Sequence, residues 1–367
     1  MLMREPTAHL GCYLTDEITT EKSGITLAKK STVRSRLIHT SDAEPGLKRI
    51  RCGKGFRYVD TQERAVSVAD KARIVALSIP PAWKDVWICQ SEYGHIQATG
   101  RDARGRKQYI YHPDWMKRRD DSKFSGLQYF GSDLSQLREK IDADMRRRSL
   151  CREKVVATII WLMDRLLLRV GNSGYARANK SFGVTTLCNR HVKDEGVSLR
   201  LVFTGKSGQN WNLKLSDRRI TRIVRSIQEL PGQHLFQYVN DEGSYHPVSS
   251  QDINDYLQDV MKSEFTSKHF RTWAATVGAL DAFQSMELPY SEAAKKRALN
   301  QVIDKIAQAL SNTRAVCRSA YIHPNVIEHW LEGVLASEIE AVASNRLVAP
   351  RLSKAERNTL KWLIVYA

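Results

Sequence analysis

The sequence predicts an α+β protein, with a small β-rich amino-terminal domain and a larger, mainly α-helical carboxyl-terminal domain that contains one β-hairpin. Short apolar and aromatic segments separated by Pro80-Pro81 and Gly94 indicate strands between residues 47 and 115. Apolar residues recur at helical spacing from residue 151 onwards, and again beyond residue 268. A chain of 367 residues is long enough for two or three domains with a sizeable core.

Charge and composition restrict the partner. A formal net charge of +17 predicts a polyanionic partner, either nucleic acid or an anionic membrane surface. The sequence has no run of 18 apolar residues and no signal-peptide pattern, which favours nucleic acid and no membrane. Its six cysteines form no C-x-x-C pair, so we expect no structural zinc and a reducing, cytoplasmic location.

Three regions follow from the patterning. Residues 1–46 have neither helical nor strand periodicity and are predicted to be a mobile extension. Residues 47–121 are predicted to form the β-rich domain, whose polar end, Lys117–Ser122, is typical of a linker. Residues 122–367 are predicted to form the helical domain.

A basic hairpin in the first domain is a candidate DNA contact. The segment from Thr99 to Tyr111 contains glycine turns, four cations and then an alternating strand. Cations follow phosphates, whereas glutamine and tyrosine can reach base edges in a groove. The alternative is an exposed basic hairpin with no partner. The candidate residues are Arg106, Lys107, Gln108, Tyr109 and Tyr111.

The next candidates are cations at the ends of predicted elements. A strongly apolar helix, 151–170, ends in Arg169, which needs solvent, an anion or, as a structural residue, a carboxylate. Alternating segments around Thr204–Gly208 predict a hairpin with Lys206 at its tip, or simply a solvated turn lysine. Gly205-Lys206-Ser207 is not a nucleotide-binding loop, because Arg200 stands where that motif requires glycine.

Further helices follow towards the carboxyl end. Thr266 or Ser267 is predicted to cap a helix that begins at Lys268 and has Arg271 near its start, beside backbone N–H groups that favour anions. The other helical segments are 291–310, a short one that ends at Tyr321, 324–344 and 354–367.

Tyr321 ends the segment Ser311–Tyr321 and is the candidate nucleophile. A phenol has a pKa near 10, so nucleophilic attack at neutral pH needs fixed positive charge that favours the phenolate. The sequence offers that charge at Arg169, Lys206, Arg271 and Arg318. Considered alone, Tyr321 is an ordinary structural tyrosine, and Asn312 is an ordinary cap of the short helix.

Together, these segments resemble the type IB DNA topoisomerases of the compact bacterial and poxvirus kind, over roughly residues 47–345. The resemblance rests on four motifs in one order. They are Arg-Val-Gly (169–171), Thr-Gly-Lys (204–206), Lys-x-x-Arg-Thr-Trp (268–273) and Asn-Thr-x-x-x-x-Arg-x-x-Tyr (312–321).

The resemblance implies a role for each residue. Tyr321 is the nucleophile, Arg169 and Arg271 contact the scissile phosphate, and Lys206 protonates the leaving 5′ oxygen. Gln108, Tyr109 and Tyr111 match positions that contact bases, while Tyr175 and Lys268 match positions near the phosphate. Asn312 stands where poxvirus members have histidine, whereas bacterial members resemble this chain.

The implied activity is relaxation of supercoiled duplex DNA through a 3′-phosphotyrosyl intermediate, without ATP, metal or other cofactor. The resemblance also implies a monomer that clamps double-stranded DNA, at the nucleoid of a bacterium or in a virion or infected host cell. A tyrosine recombinase uses the same chemistry but usually has His-x-x-Arg where this chain has Lys268. From another class, a non-catalytic DNA-binding protein is also compatible with the charge.

Overall fold

The computed structural model describes residues 37–116 and 124–367. The chain divides into two compact units, which meet in sequence between Trp115 and Met116. The predicted α+β class is confirmed, because a five-stranded sheet dominates the first unit and helices dominate the second. Positions 1–36 of the predicted extension and the predicted linker Lys117–Ser122 lie outside the described residues. The domain bounds therefore stay predictions.

The first unit is an antiparallel sheet with one helix packed on it. The strand order is β2-β1-β3-β4-β5. Alternate side chains of the strands, among them Leu47, Val86, Ile88 and Ala98, meet Ile74 of the helix in a small apolar core. The elements are β1 (Leu47–Cys52), β2 (Gly55–Val59), α1 (Val68–Ala76), β3 (Lys84–Ile88), β4 (Ile96–Arg101) and β5 (Lys107–Tyr111).

The residues just before β1 belong to this packed unit. Ile38 N donates a hydrogen bond to Tyr93 O at 2.8 Å, and Ile38 O accepts one from His95 N at 2.8 Å. The Trp87 indole nitrogen donates to Glu44 O at 2.9 Å. Residues 37–46, which the sequence assigns to an extension, are therefore held on the sheet.

The second unit is a helical assembly with a three-stranded and a two-stranded sheet. Its large apolar core is built from the inner faces of nearly all these helices. Among the described residues no helix is long and apolar enough to cross a bilayer. In chain order the elements are α2 (Leu127–Met145), α3 (Arg152–Leu166), α4 (Ser173–Asn179), β6 (Val192–Asp194), β7 (Leu199–Thr204), β8 (Asn210–Leu215), α5 (Arg218–Gln228), β9 (Gln237–Val239), β10 (Tyr245–Pro247), α6 (Ser250–Met261), α7 (Lys268–Gln284), α8 (Glu292–Ala309), α9 (Arg314–Ala320), α10 (Pro324–Glu332), α11 (Leu335–Ala343) and α12 (Lys354–Tyr366).

Two predicted helices and one predicted helix cap differ from the structure, while the predicted start of α7 at Lys268 is confirmed. Helix α3 ends at Leu166 rather than at residue 170, because Leu167 adopts a left-handed conformation (φ 55°) and closes the helix. The segment 324–344 forms two helices, since Gly333 turns the chain with φ 80°. Ser267 precedes α7, but its side chain makes no capping hydrogen bond.

Candidate active site

Arg169 lies in the segment after α3, whose backbone is hydrogen-bonded to residues 184 and 185. Arg169 O accepts a hydrogen bond from Val184 N at 2.9 Å, and Val170 O accepts one from Thr185 N at 2.8 Å. Gly183 packs so closely here that a Cβ would lie 2.6 Å from Arg169 O. The guanidinium donates from Nη2 to Asn312 Oδ1 at 2.5 Å. The partner is thus a neutral carboxamide, not the carboxylate of a structural ion pair.

Arg271 is buried, with 3% of its surface exposed, in the first turn and a half of α7. Its Nη1 donates to Leu167 O, and its Nη2 donates to Leu310 O at 2.5 Å. Within the described chain, Arg271 makes no ion pair with a carboxylate. Its other partner is the Tyr321 phenol. A buried charge held by neutral groups is costly unless an anion joins it, so the pocket is suited to bind an anion.

Tyr321 follows the last residue of α9 and faces Arg271. The Arg271 guanidinium carbon lies 5.3 Å from the centroid of the phenol ring. Thr276 of α7 donates from Oγ1 to Tyr321 O at 3.3 Å and accepts from His323 N at 3.1 Å. The same helix therefore carries one arginine and holds the backbone of the tyrosine. Thr276 is not among the residues predicted from the sequence, although a threonine within an apolar helical stripe is a usable signal.

The charges around Tyr321 favour its phenolate. Burial raises the pKa of the Tyr321 phenol and is the largest single influence, whereas the charge and hydrogen bond of Arg271 lower it. Arg169 and Asn312 act in the same direction, and the pKa lies below its ordinary value. The neighbouring Cys317 is a buried thiol whose pKa burial raises to about 11, against the influence of Arg271. Cys317 therefore stays a neutral thiol, whereas the arginines lower the pKa of the Tyr321 phenol.

Two N–H donors at this site can serve a ligand. Asn312 Nδ2 and Arg271 Nε are buried and form no well-aligned hydrogen bond with any residue that the structure describes. Buried donors are normally satisfied, so an acceptor is expected from a ligand. Asn312 is also not the helix cap, because Thr313 occupies that position and its hydroxyl accepts from Val316 N. The carboxamide therefore contacts Arg169 instead of capping the helix.

Lys206 lies at the tip of the β7–β8 hairpin, as predicted. Gly205 packs against Trp211, where a Cβ would lie 2.6 Å from the indole nitrogen, and Ser207 adopts a left-handed conformation (φ 62°). These features shape the tip and leave the Lys206 side chain exposed. The groups that lower the pKa of Tyr321 are Arg271, Arg169 and Asn312, and not Lys206. Arg318, another sequence candidate, is exposed on α9.

Arg106 and Lys107 of the basic hairpin are paired with carboxylates. Asp102 accepts from Arg106 Nε at 2.8 Å and from Gln108 Nε2 at 2.9 Å. The Arg106 hydrogen bond, together with backbone donors, lowers the pKa of Asp102 to about 2. Lys107 forms an ion pair with Asp42 at 2.5 Å. DNA contacts by these residues would replace or share intramolecular partners.

Of the remaining predicted DNA contacts, Tyr109, Tyr175 and Lys268 are exposed, whereas Tyr111 is half-buried. The rings of Tyr109 and Tyr111 stack with centroids 5.8 Å apart on one face of β5, and Gln108 falls on the opposite face by strand alternation. Tyr175 is 40% exposed on α4. Lys268 is exposed at the start of α7.

The second unit matches the family described as "Eukaryotic DNA topoisomerase I, catalytic core" over residues 112–342. The chain belongs to the type IB DNA topoisomerase family. Residues 55–102 of this topoisomerase match the family "Bacterial DNA topoisomerase IB, N-terminal domain". The enzyme class predicted from the motifs, a DNA topoisomerase that acts on DNA, is confirmed.

Viral relatives span most of the topoisomerase. It is 32% identical over 280 residues to DNA topoisomerase 1B of Acanthamoeba polyphaga mimivirus, which covers 74% of this chain and 83% of the relative. It is 21% identical over 261 residues to DNA topoisomerase 1 of Rabbit fibroma virus, covering 69% and 79%. It is 18% identical over 234 residues to DNA topoisomerase 1B of Vaccinia virus, covering 63% and 71%.

Proposed function

We propose that this topoisomerase relaxes supercoiled duplex DNA by cutting and resealing one strand through Tyr321. The phenol loses its proton, its oxygen forms a bond to the scissile phosphorus, and the 5′ oxygen leaves. The observation that carries this proposal is a phenol with a lowered pKa beside the buried Arg271 and the half-buried Arg169, neither of which has a carboxylate partner among the described residues. The resulting 3′-phosphotyrosyl bond retains the energy of the broken phosphodiester, so resealing needs no ATP.

The arginines and Asn312 stabilise the transition state. Attack places additional negative charge on the non-bridging oxygens of the phosphate. Forked guanidinium donors match that charge in geometry and sign. The unpaired Arg271 Nε–H and Asn312 Nδ2–H supply further donors. These fixed charges perform the stabilisation, so the proposed reaction does not call for a metal ion.

Lys206 is proposed to be the general acid. A departing deoxyribose oxygen is a strong base and needs a proton as its bond to phosphorus breaks. An exposed lysine on a shaped hairpin tip can reach the leaving side of the phosphate when DNA is bound. During resealing, Lys206 takes the proton back as the 5′ hydroxyl attacks phosphorus and the phenolate leaves.

Both units are proposed to contact the duplex, and the enzyme is proposed to act as a monomer. The basic excess of 57 Lys and Arg over 40 Asp and Glu favours a polyanion along an extended surface. The proposed contacts in the first unit are Arg106, Lys107, Gln108, Tyr109 and Tyr111. Those near the scissile phosphate are Tyr175 and Lys268.

Relaxation of a supercoiled plasmid in EDTA, without ATP, tests this function. We expect a ladder of topoisomers and, after rapid denaturation, protein attached to 3′ ends. A tyrosine recombinase would instead need paired recognition sites, and a non-catalytic DNA-binding protein would leave the supercoils in place. A requirement for ATP or a divalent cation would contradict the proposal.

Substitution of Asn312 tests whether its carboxamide acts as a neutral hydrogen-bond donor to the scissile phosphate. Asn312→Ala is expected to slow single-turnover cleavage about 10²-fold, or about 2.7 kcal/mol, as for one lost oxyanion donor. Asn312→His should keep most of the rate, because it restores an N–H donor. Asn312→Asp should be slower than Asn312→Ala, because a carboxylate beside Arg169 neutralises it and repels the phosphate. Cleavage by Asn312→Asp near the wild-type rate would reject the catalytic role.

A further inference from the structure

A buried ion network joins three helices of the second unit. Arg138 of α2 donates from Nε and Nη2 to Asp164 of α3, at 2.8 and 3.0 Å. It also donates from Nη2 and Nη1 to Glu356 of α12, at 2.7 and 3.0 Å. Burial raises the pKa of Glu356, but Arg138, the Ser353 N–H and Trp273 together outweigh burial and lower that pKa to about 2. The network is therefore charged and almost fully hydrogen-bonded at neutral pH.

The network extends to α7, the helix of Arg271. The Trp273 indole nitrogen donates to Glu356 Oε1 at 3.2 Å. On its other side the indole meets α2 so closely that a Cβ on Gly131 would lie 2.4 Å from it. Arg271 and Trp273 are two positions apart, and hence on opposite faces of the helix. Holding the indole between α2 and α12 thus fixes the rotation of α7 and the direction of Arg271.

The other arm of the network reaches the end of α3. Asp164 lies in the last turn of α3, three residues before Leu167 and five before Arg169. Leu167 O accepts the hydrogen bond from Arg271 Nη1. Movement of this helix end would shift both the acceptor of Arg271 and the backbone that leads to Arg169.

We propose that Glu356, through Arg138 and Trp273, is a positioning residue that aligns Arg271 and Arg169 for cleavage. Glu356 lies in α12, beyond residues 112–342 that match the catalytic-core family. Glu356 then contributes to the alignment of the site and is not a packing residue alone. This inference rests on the proposed function.

The test is single-turnover cleavage by Trp273→Phe, which keeps a ring but loses the bond to Glu356. A matched control is Trp362→Phe, which removes a similar indole–carboxylate bond, from Trp362 Nε1 to Glu338 Oε2 at 2.8 Å. At a temperature well below the melting of either variant, we expect Trp273→Phe to cleave at least about tenfold more slowly. The control should cleave at the wild-type rate. Glu356→Gln, which keeps the shape of the side chain, should behave like Trp273→Phe.

The pH profile separates positioning from simple loss of stability. The charged groups that face Tyr321 are Arg271 from α7 and Arg169 from the segment after α3, while Asn312 and Cys317 are neutral. If the arginines are misplaced, the phenol ionises at higher pH, so the rising limb of the rate profile should move upward. Sulfur in place of the leaving 5′ oxygen should not rescue either variant, because proton donation is intact.

The positioning role would be overturned if Trp273→Phe and Glu356→Gln both cleaved at the wild-type rate with the wild-type pH profile, whatever their melting temperatures. If the proposed function itself were wrong, the wild-type enzyme would form no covalent adduct with DNA, which distinguishes the two failures.

Discussion

Tyr321→Phe is expected to abolish DNA cleavage and plasmid relaxation, because phenylalanine has no oxygen to bond to phosphorus. Duplex binding should stay near the wild-type value, since the ring and its contacts with the neighbouring core remain. The Arg271 guanidinium faces that ring, and a phenyl group also accepts such a contact. Loss of rate should therefore not be accompanied by loss of affinity.

A radiolabelled duplex assayed for covalent adduct, together with a binding titration at fixed salt, would check this result. Tyr290→Phe is the matched control, because Tyr290 is fully exposed and distant in sequence from the motif. Its adduct yield should equal that of the wild type. If the Tyr321→Phe variant formed a covalent adduct with DNA, another side chain would have to be the nucleophile.

Lys206→Ala is expected to slow cleavage by about 10²- to 10⁴-fold, the range typical of a lost general acid. The slope of log binding constant against log salt, about −0.9 per neutralised phosphate, should hardly change. Lys214→Ala removes an exposed lysine from β8 of the same hairpin and is the control for loss of charge alone. That variant should cleave saturating DNA at the wild-type rate.

A substrate with sulfur at the leaving 5′ position distinguishes proton donation from binding. A thiol has a pKa of about 8.5, so a thiolate leaves without a proton donor. Lys206→Ala should then cleave the sulfur substrate near the wild-type rate. Persistence of the defect on this substrate would show that Lys206 acts only in binding.

Local sequence was sufficient for much of the site. Lys206 at a hairpin tip, Arg271 near a helix start and Tyr321 after a short helix all follow from periodicity and turn residues over a few positions. Each of these placements is confirmed, because each depends on the helix or strand in which the residue itself stands. The fold class was likewise accessible, since alternation in the first unit and helical spacing in the second are properties of short segments.

Tertiary structure decided the environment of these side chains. Arg169 was predicted at a helix end, but the helix ends earlier because Leu167 adopts a left-handed conformation. Arg169 lies beyond it and donates a hydrogen bond to Asn312, 143 residues away in sequence. Only the packed chain brings Leu310 O to Arg271. It also places Glu356 against Arg138, 218 residues apart in sequence. The partner of a buried charge depends on which parts of the chain, distant in sequence, pack against it. The spacing of apolar residues within one helix or strand carries no information about those distant partners.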